Sequence, residues 1–180
     1  MRAPNRRGYT LVELVVTIMI IGILVAIAVP QYMQTVEIGK ADDAAATVNM
    51  VATTNKMFAL DHSMTYTTGR LPWTPGGSCG SAPTCPTTPP YDVCALVWCK
   101  YMADQDWGDK CYEYHSCDPT SGAGGGTCVG GLIAVATRKT GATSVPPQCA
   151  NGTGAYASWG YTVNPAGTIT SANGSPAPTY

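Results

Sequence analysis

Charged side chains make up only 12% of this 180-residue sequence, and its basic residues are unevenly placed. So little charge, beside abundant Gly, Pro, Thr and Ala, points away from a cytosolic enzyme and towards an exported, loop-rich domain. Arg2, Arg6 and Arg7 all precede the first hydrophobic run, and the remainder of the chain is acidic. No cluster of Lys and Arg is left to follow a phosphate backbone, which argues against a nucleic-acid platform. Catalytic motifs are missing as well. There is no G-x-S-x-G, no H-E-x-x-H and no phosphate-binding glycine loop. Neither His62 nor His115 has a nucleophile partner in a recognisable pattern. His62 follows an expected helix end, where a histidine caps the helix or lies on the surface, and Trp73, Trp98, Trp107 and Trp159 read as packing residues.

Cysteine is absent before residue 79, and all eight follow: Cys79, Cys85, Cys94, Cys99, Cys111, Cys117, Cys128 and Cys149. An even set confined to the downstream part reads as disulfides formed outside the cytoplasm, with the pairing left open. The spacings C-x5-C, C-x4-C and C-x5-C include no C-x2-C. Zinc held by thiolates, with His62 or His115, is the competing reading. An exported chain meets an oxidising compartment first, so the expectation is disulfides, with no metal and no cofactor.

Against these absences stands one long hydrophobic run. Leu14 to Val29, "LVVTIMIIGILVAIAV", carries no charge. With its flank from Tyr9 it reaches about 20 residues, enough to cross a hydrocarbon core as a helix. Arginines before it, and none directly after, predict a cytoplasmic N-terminus. Glu13 sits inside the start of this run and calls for compensation. Beyond Pro30, apolar residues at Ile38, Ala41, Ala45, Val48, Val51 or Ala52, and Phe58 or Ala59 recur in steps of three and four, the stripe of an amphipathic helix. Asp42, Asp43, Asn49, Asn55 and Lys56 are assigned largely off that stripe. A helix from Tyr9 to about Leu60 would be on the order of 80 Å long. Gly22 and Pro30 weaken it, and a bend or a locally melted turn is expected there.

A secretory signal peptide would explain the basic start, the apolar core and the "AIA" at residues 26–28. It leaves the length of the run, Glu13 and the nearby Pro30 unexplained. A plain uncleaved anchor leaves Glu13 and "RRG" unexplained. "RRG" followed by "YTLVELVVTIMIIGILVAIAVPQY" closely resembles the start of type IV pilins and pseudopilins. In that family a basic leader ends in glycine, and a membrane peptidase cuts after the glycine and N-methylates the new first residue. A glutamate lies four residues beyond. The resemblance implies cleavage between Gly8 and Tyr9, methylation of Tyr9, and a subunit-assembly role for Glu13. Tyr9 departs from the commoner phenylalanine. The family often carries helix-weakening residues where Gly22 and Pro30 fall.

The physics agrees with that resemblance. Cleavage would create an amino group at Tyr9, which on an axially shifted neighbour could meet Glu13. Paired, the charges neutralise each other among apolar helices; unpaired, both oppose insertion. The alternative is that Glu13 snorkels to the headgroups.

Downstream, "RLPWTPGGSCGSAPTCPTTPPY" (70–91) reads as a stapled surface loop, and "DVCALVWCKYM" (92–102) as a short buried strand or helix. "GLIAVATR" (131–138), "AYASWGYTV" (155–163) and "GTIT" (167–170) read as strands, the last two joined through "NPAG" as a hairpin, and "SANGSPAPTY" as a frayed tail. Three or four antiparallel strands covered by the amphipathic stripe give an α+β fold, which the pilin resemblance also implies.

"DQDWGDKCYEY" (104–114) is similar to an Asp-Pro-Trp-Gly-Asn-Pro-Tyr stretch of major pseudopilins, without the prolines and with an added cysteine. That resemblance implies calcium near the end of the sheet, with Asp104, Asp106 and Asp109 as oxygen ligands. No full D-x-D-x-D-G loop is present, and solvated turn carboxylates are the simpler reading. "NGT" (151–153) and "NGS" (173–175) match the N-glycosylation pattern and argue only for exposed segments.

The sequence therefore divides into a leader (1–8), a transmembrane or filament-core half-helix (9–30), an amphipathic half-helix (31–62) and a Cys-rich sheet domain (63–180). The expected function is a structural subunit of a type IV pilus-like filament, acting by assembly rather than catalysis. Its partners would be a prepilin peptidase and methyltransferase, like subunits, an inner-membrane assembly platform and the lipid bilayer. Its expected location is the inner membrane, then a periplasmic or extracellular filament. The alternatives are a pseudopilin of a type II secretion system, and an exported disulfide-rich binding or enzymatic domain behind an ordinary signal peptide.

Overall fold

The computed structural model describes residues 10–74, 76–80, 84–125, 127–140, 145–149 and 154–178. The chain forms two compact units, residues 1–36 and 37–180, and the helix α1 (Leu11–Asp61) contributes to both. Thr10 caps α1: its Oγ1 accepts the Glu13 N–H at 3.2 Å. "TLVE" is thus a Thr-x-x-Glu start signal. The far end closes where Ser63 and Met64 turn left-handed (φ 55° and 62°) and the Met64 N–H reaches back to the Ala59 carbonyl at 2.7 Å.

Helical structure is continuous through Gly22 and Pro30. Of the bend or melted turn expected there, the melted turn is absent. Proline removes one hydrogen bond, whereas nucleation is already complete on both sides of it, so propagation carries through.

The second unit is α+β. Its sheet comprises β1 (Gly69–Arg70), β2 (Tyr112–Ser116), β3 (Ala134–Arg138), β4 (Gly160–Val163) and β5 (Ile169–Ala172), all antiparallel and in sequence order. Register places Tyr112 opposite Arg138, Tyr114 opposite Ala136 and Ser116 opposite Ala134, with Ala136 in turn opposite Tyr161 and Ala134 opposite Val163. These residues share one face, as the two-residue period requires. Of them, Tyr112, Tyr114, Ala134, Ala136, Tyr161 and Val163 join a single core cluster with Ala41, Ala44, Ala45, Val48, Val51 and Phe58 of α1. Alanines supply the helix side and large rings the sheet side, so volume lost on one is filled from the other. On the opposite face, His115 and Val135 are covered: the loop closed by Cys117–Cys128 brings the Gly124 carbonyl to 3.2 Å from His115 Nδ1.

Residues 92–102 resolve as a helical segment around α2 (Ala95–Trp98), with Ala95, Leu96 and Val97 buried. The eight cysteines form four bridges: Cys79–Cys94, Cys85–Cys99, Cys111–Cys149 and Cys117–Cys128. The first two interleave and staple the Gly/Pro-rich loop onto α2.

Two local expectations are corrected. Residues 155–163 are a strand only from Gly160; Gly154–Tyr156 is a 3-10 turn, closed as the Ala157 N–H donates to the Gly154 carbonyl at 3.2 Å. The segment after β5 is not frayed as far as Pro176. Asn173 and Gly174 turn the chain left-handed, and Ser175 Oγ accepts the Gly160 N–H at 2.8 Å. The Tyr161 hydroxyl donates to the Pro176 carbonyl at 3.0 Å. An Asn-Gly turn hands the chain back to a strand whose polar groups need partners.

Candidate functional site: the N-terminal helix and the anchor of its second half

Every residue of α1 from Leu11 to Tyr32 is exposed. Its most apolar 18-residue window has a mean hydropathy of 2.9 and no buried residue, so the helix is long and apolar enough to cross a membrane. Leu11, Ile20, Leu24 and Ile27 are each more than half exposed, which water alone would penalise. Glu13 is the single charge in residues 10–32. Its backbone is engaged by Thr10, and a carboxylate at this position also complements the helix N-terminus. The Thr10 cap is a contribution that the sequence reading missed, although Thr-x-x-Glu is its plain signal. Gly8 and Tyr9 lie outside the described residues.

In the second unit, α1 is held by buried polar contacts. Glu37 is 1% exposed and Arg138 4%. Arg138 Nη2 lies 2.8 Å from Glu37 Oε2, a charge contact rather than an aligned hydrogen bond, and donates to the Cys149 carbonyl at 3.1 Å. Lys40 Nζ donates to Glu37 Oε1 at 2.6 Å and to the Gln148 carbonyl at 2.8 Å. The Arg138 guanidinium also sits 5.3 Å from the Tyr112 ring centroid. Burial pushes the Tyr112 phenol upward, and the Arg138 charge opposes that shift. The Cys111–Cys149 bridge fixes the segment that supplies the carbonyl partners.

A second tie lies about five turns along. Asn55, assigned off the apolar stripe from sequence, is 0% exposed. Its Oδ1 accepts the Thr67 N–H at 2.9 Å and the Thr67 hydroxyl at 3.0 Å. Its Nδ2 donates to the carbonyls of Cys117 and Ile133 at 3.1 and 3.3 Å. One amide thereby joins α1 to the ends of β2 and β3. Glu37 and Asn55 both continue the three-and-four spacing of Ala41 to Ala59, so the position was legible even though the residue type misled.

Two of the three aspartates of "DQDWGDK" have carboxylates engaged by nitrogen donors. Asp104 Oδ1 accepts from the Cys79 and Gln105 amides and from Trp107 Nε1, at 3.0 to 3.2 Å. Asp106 Oδ1 accepts the Asp109 amide at 3.3 Å. The Lys139 ammonium donates to the carbonyls of Trp107 and Gly108 at 3.1 and 2.6 Å. Desolvation lowers the Lys139 pKa, against the pull of Glu113, Asp109 and Asp106. Gly108 follows Trp107 because a Cβ there would lie 1.8 Å from the Thr74 carbonyl oxygen. Among the described residues, the group whose ligand atoms come close enough to share a metal is instead His62, Cys85 and Cys99.

"NGT" falls outside the described residues. In "NGS" Asn173 is exposed, but its amide donates to the Ser158 carbonyl at 2.9 Å, and Ser175 is buried. That segment is less open than expected.

Residues 3–29 match the family model of the prokaryotic N-terminal methylation motif. The chain carries a prepilin-type N-terminus. That motif marks type IV pilins and pseudopilins and implies processing by a prepilin peptidase and assembly at a membrane. The exposed apolar half of α1 is consistent with membrane insertion of such a prepilin-type protein. No solved structure matches the chain.

Proposed function

We propose that this prepilin-type chain is a structural subunit of a type IV pilus-like filament, cut after Gly8, methylated at Tyr9 and assembled through residues 9–30. The observation that carries this reading is the wholly exposed apolar half of α1 with Glu13 as its one charge. An unpaired carboxylate at bilayer depth costs about 2.5–3.5 kcal/mol. The amine of a cleaved neighbour, placed one axial step away, removes that cost and so favours polymer over lone subunit. Before assembly the chain spans the inner membrane once with its N-terminus in the cytoplasm. The disulfide-bonded unit then faces the periplasm or the exterior, in keeping with its four bridges.

A second reading, a pseudopilin serving protein export, is favoured by the "DQDWGDK" segment, whose Trp107 is a core residue. Mass spectrometry of the cellular protein tests the shared part: a chain beginning at methyl-Tyr9 supports it, and one beginning at Val29 refutes it. Glu13→Gln then tests the charge pairing. Glutamine can keep the Thr10 capping geometry while losing the charge. Cleavage should persist and filament incorporation should fail; normal filaments from this variant would remove the pairing mechanism. Surface fibres by electron microscopy favour the pilus, whereas a secretion defect without fibres favours the pseudopilus.

A further inference from the structure

We propose that the Cys85–Cys99 bridge and His62 form a redox-gated zinc site: a closed disulfide when oxidised, a two-thiolate, one-imidazole metal centre when reduced. One ring nitrogen of His62, Cys85 Sγ and Cys99 Sγ all lie within 4.8 Å of one another. The imidazole is prepared as a ligand. Its Nδ1 lies 2.9 Å from the Phe58 carbonyl, so a neutral ring donates there and keeps its lone pair on Nε2. A backbone carbonyl on the other ring nitrogen is the arrangement that orients metal-bound histidines. The ring is also fixed in place: it stacks on Phe58 at 3.8 Å and 2°, with Tyr91 edge-on at 5.2 Å and Tyr101 at 6.3 Å.

Accessibility singles out this bridge. Cys85 and Cys99 are both half-buried, whereas each other bridge contains a buried cysteine: Cys94 at 8%, Cys149 at 1% and Cys117 at 0% exposure. Exchange requires a thiolate to reach one sulfur; Cys79, Cys111 and Cys128 are half-buried too, so what sets Cys85–Cys99 apart is that either of its sulfurs can be attacked, and it is the bridge expected to open first to an external dithiol. The dithiol gives up two electrons and two protons and becomes a disulfide; the S–S bond breaks to two thiols. Zinc then displaces both thiol protons and binds two sulfurs and Nε2, leaving a fourth position for water. Tetrahedral zinc holds such ligands about 3.5–3.8 Å apart, so the sulfurs must separate from their bonded distance towards an imidazole already within 4.8 Å.

The test uses the full chain purified in detergent with its bridges intact. Limited treatment with a small dithiol, followed by alkylation and peptide mapping, should label Cys85 and Cys99 about tenfold faster than the other six cysteines. Cobalt(II) added to the partly reduced protein should then give a thiolate charge-transfer band and strong visible bands of a tetrahedral site. Those bands should be lost in the Cys85→Ser/Cys99→Ser variant and lost or markedly weakened in His62→Gln. In the wild-type chain zinc should also protect His62 from acylation, a readout that needs no variant to fold. Earlier opening of another bridge, cobalt spectra unchanged by His62→Gln, or no zinc protection of His62 would each overturn the proposal.

Discussion

Removing either half of the Glu37–Arg138 pair should destabilise the second unit far more than removing both. Arg138 has 0% side-chain exposure and Glu37 1%, so neither charge can be rehydrated in place. Breaking a buried pair by deleting one partner typically costs about 3–5 kcal/mol, while replacing both by apolar residues is close to neutral. The structure ranks the two single variants. Arg138→Met leaves Glu37 with Lys40, 2.6 Å away and with 17% of its side chain exposed, so the remaining charge is neutralised. Its cost belongs at the low end, about 3 kcal/mol. Glu37→Met strands the guanidinium with the Cys149 carbonyl and the Tyr112 ring, and its cost belongs at the high end, about 5 kcal/mol. The double variant should lie within about 2 kcal/mol of the wild type.

Urea unfolding of the detergent-solubilised chain, bridges intact, reads these differences through the fluorescence of buried Trp107 and Trp159. Single variants each costing under about 1 kcal/mol, or a double variant costing the sum of both, would refute the reasoning. The first result would mean that water reaches the pair. The second would mean that α1 packing at this turn depends on the two side chains independently.

Two further predictions concern the same helix. Asn55→Leu should cost about 3 kcal/mol, because it orphans the Thr67 amide and the Cys117 carbonyl together, while the Ile133 carbonyl keeps the Cys117 N–H; a shift in urea midpoint with faster exchange of the Thr67 amide checks this. Tyr101 is pushed up to about 12, first by its hydrogen bond to Asp61 and then by burial. A raised folded pKa contributes stability that is complete below the unfolded value of about 10 and disappears as pH rises through the folded one. Asp61→Asn should return phenolate formation towards the unfolded value in an absorbance titration; a phenolate still forming near 12 would show that Asp61 is not its cause.

The N-terminal half of α1 was legible in sequence because a membrane-length apolar run is set by composition alone. So was the amphipathic half, since Ala41, Val48 and Phe58 mark a stripe by spacing. Strand positions were less legible. β2 was missed inside "DKCYEYHSC", although Tyr112 and Tyr114 alternate with Glu113 and His115, because a five-residue strand flanked by cysteines offers only two periods. The bridge pairing was illegible for a different reason: it depends on which loops α2 brings together, and α2 itself has only four residues.

The deepest failures were the buried polar residues. Glu37 and Asn55 occupy stripe positions, yet a hydrophobic pattern treats a carboxylate or an amide there as a break in the stripe. Their burial is tolerable only because Arg138 lies far along the chain and because three backbone groups converge on one amide. Those partners are supplied by tertiary structure, and no local window contains them. The same separation divides the two candidate sites. Glu13 announces itself because its expected partner, an amine four residues away in sequence, is written into the motif. His62 and the Cys85–Cys99 bridge meet only after α1 ends and the stapled loop folds back, so their chemistry had to be read from the fold.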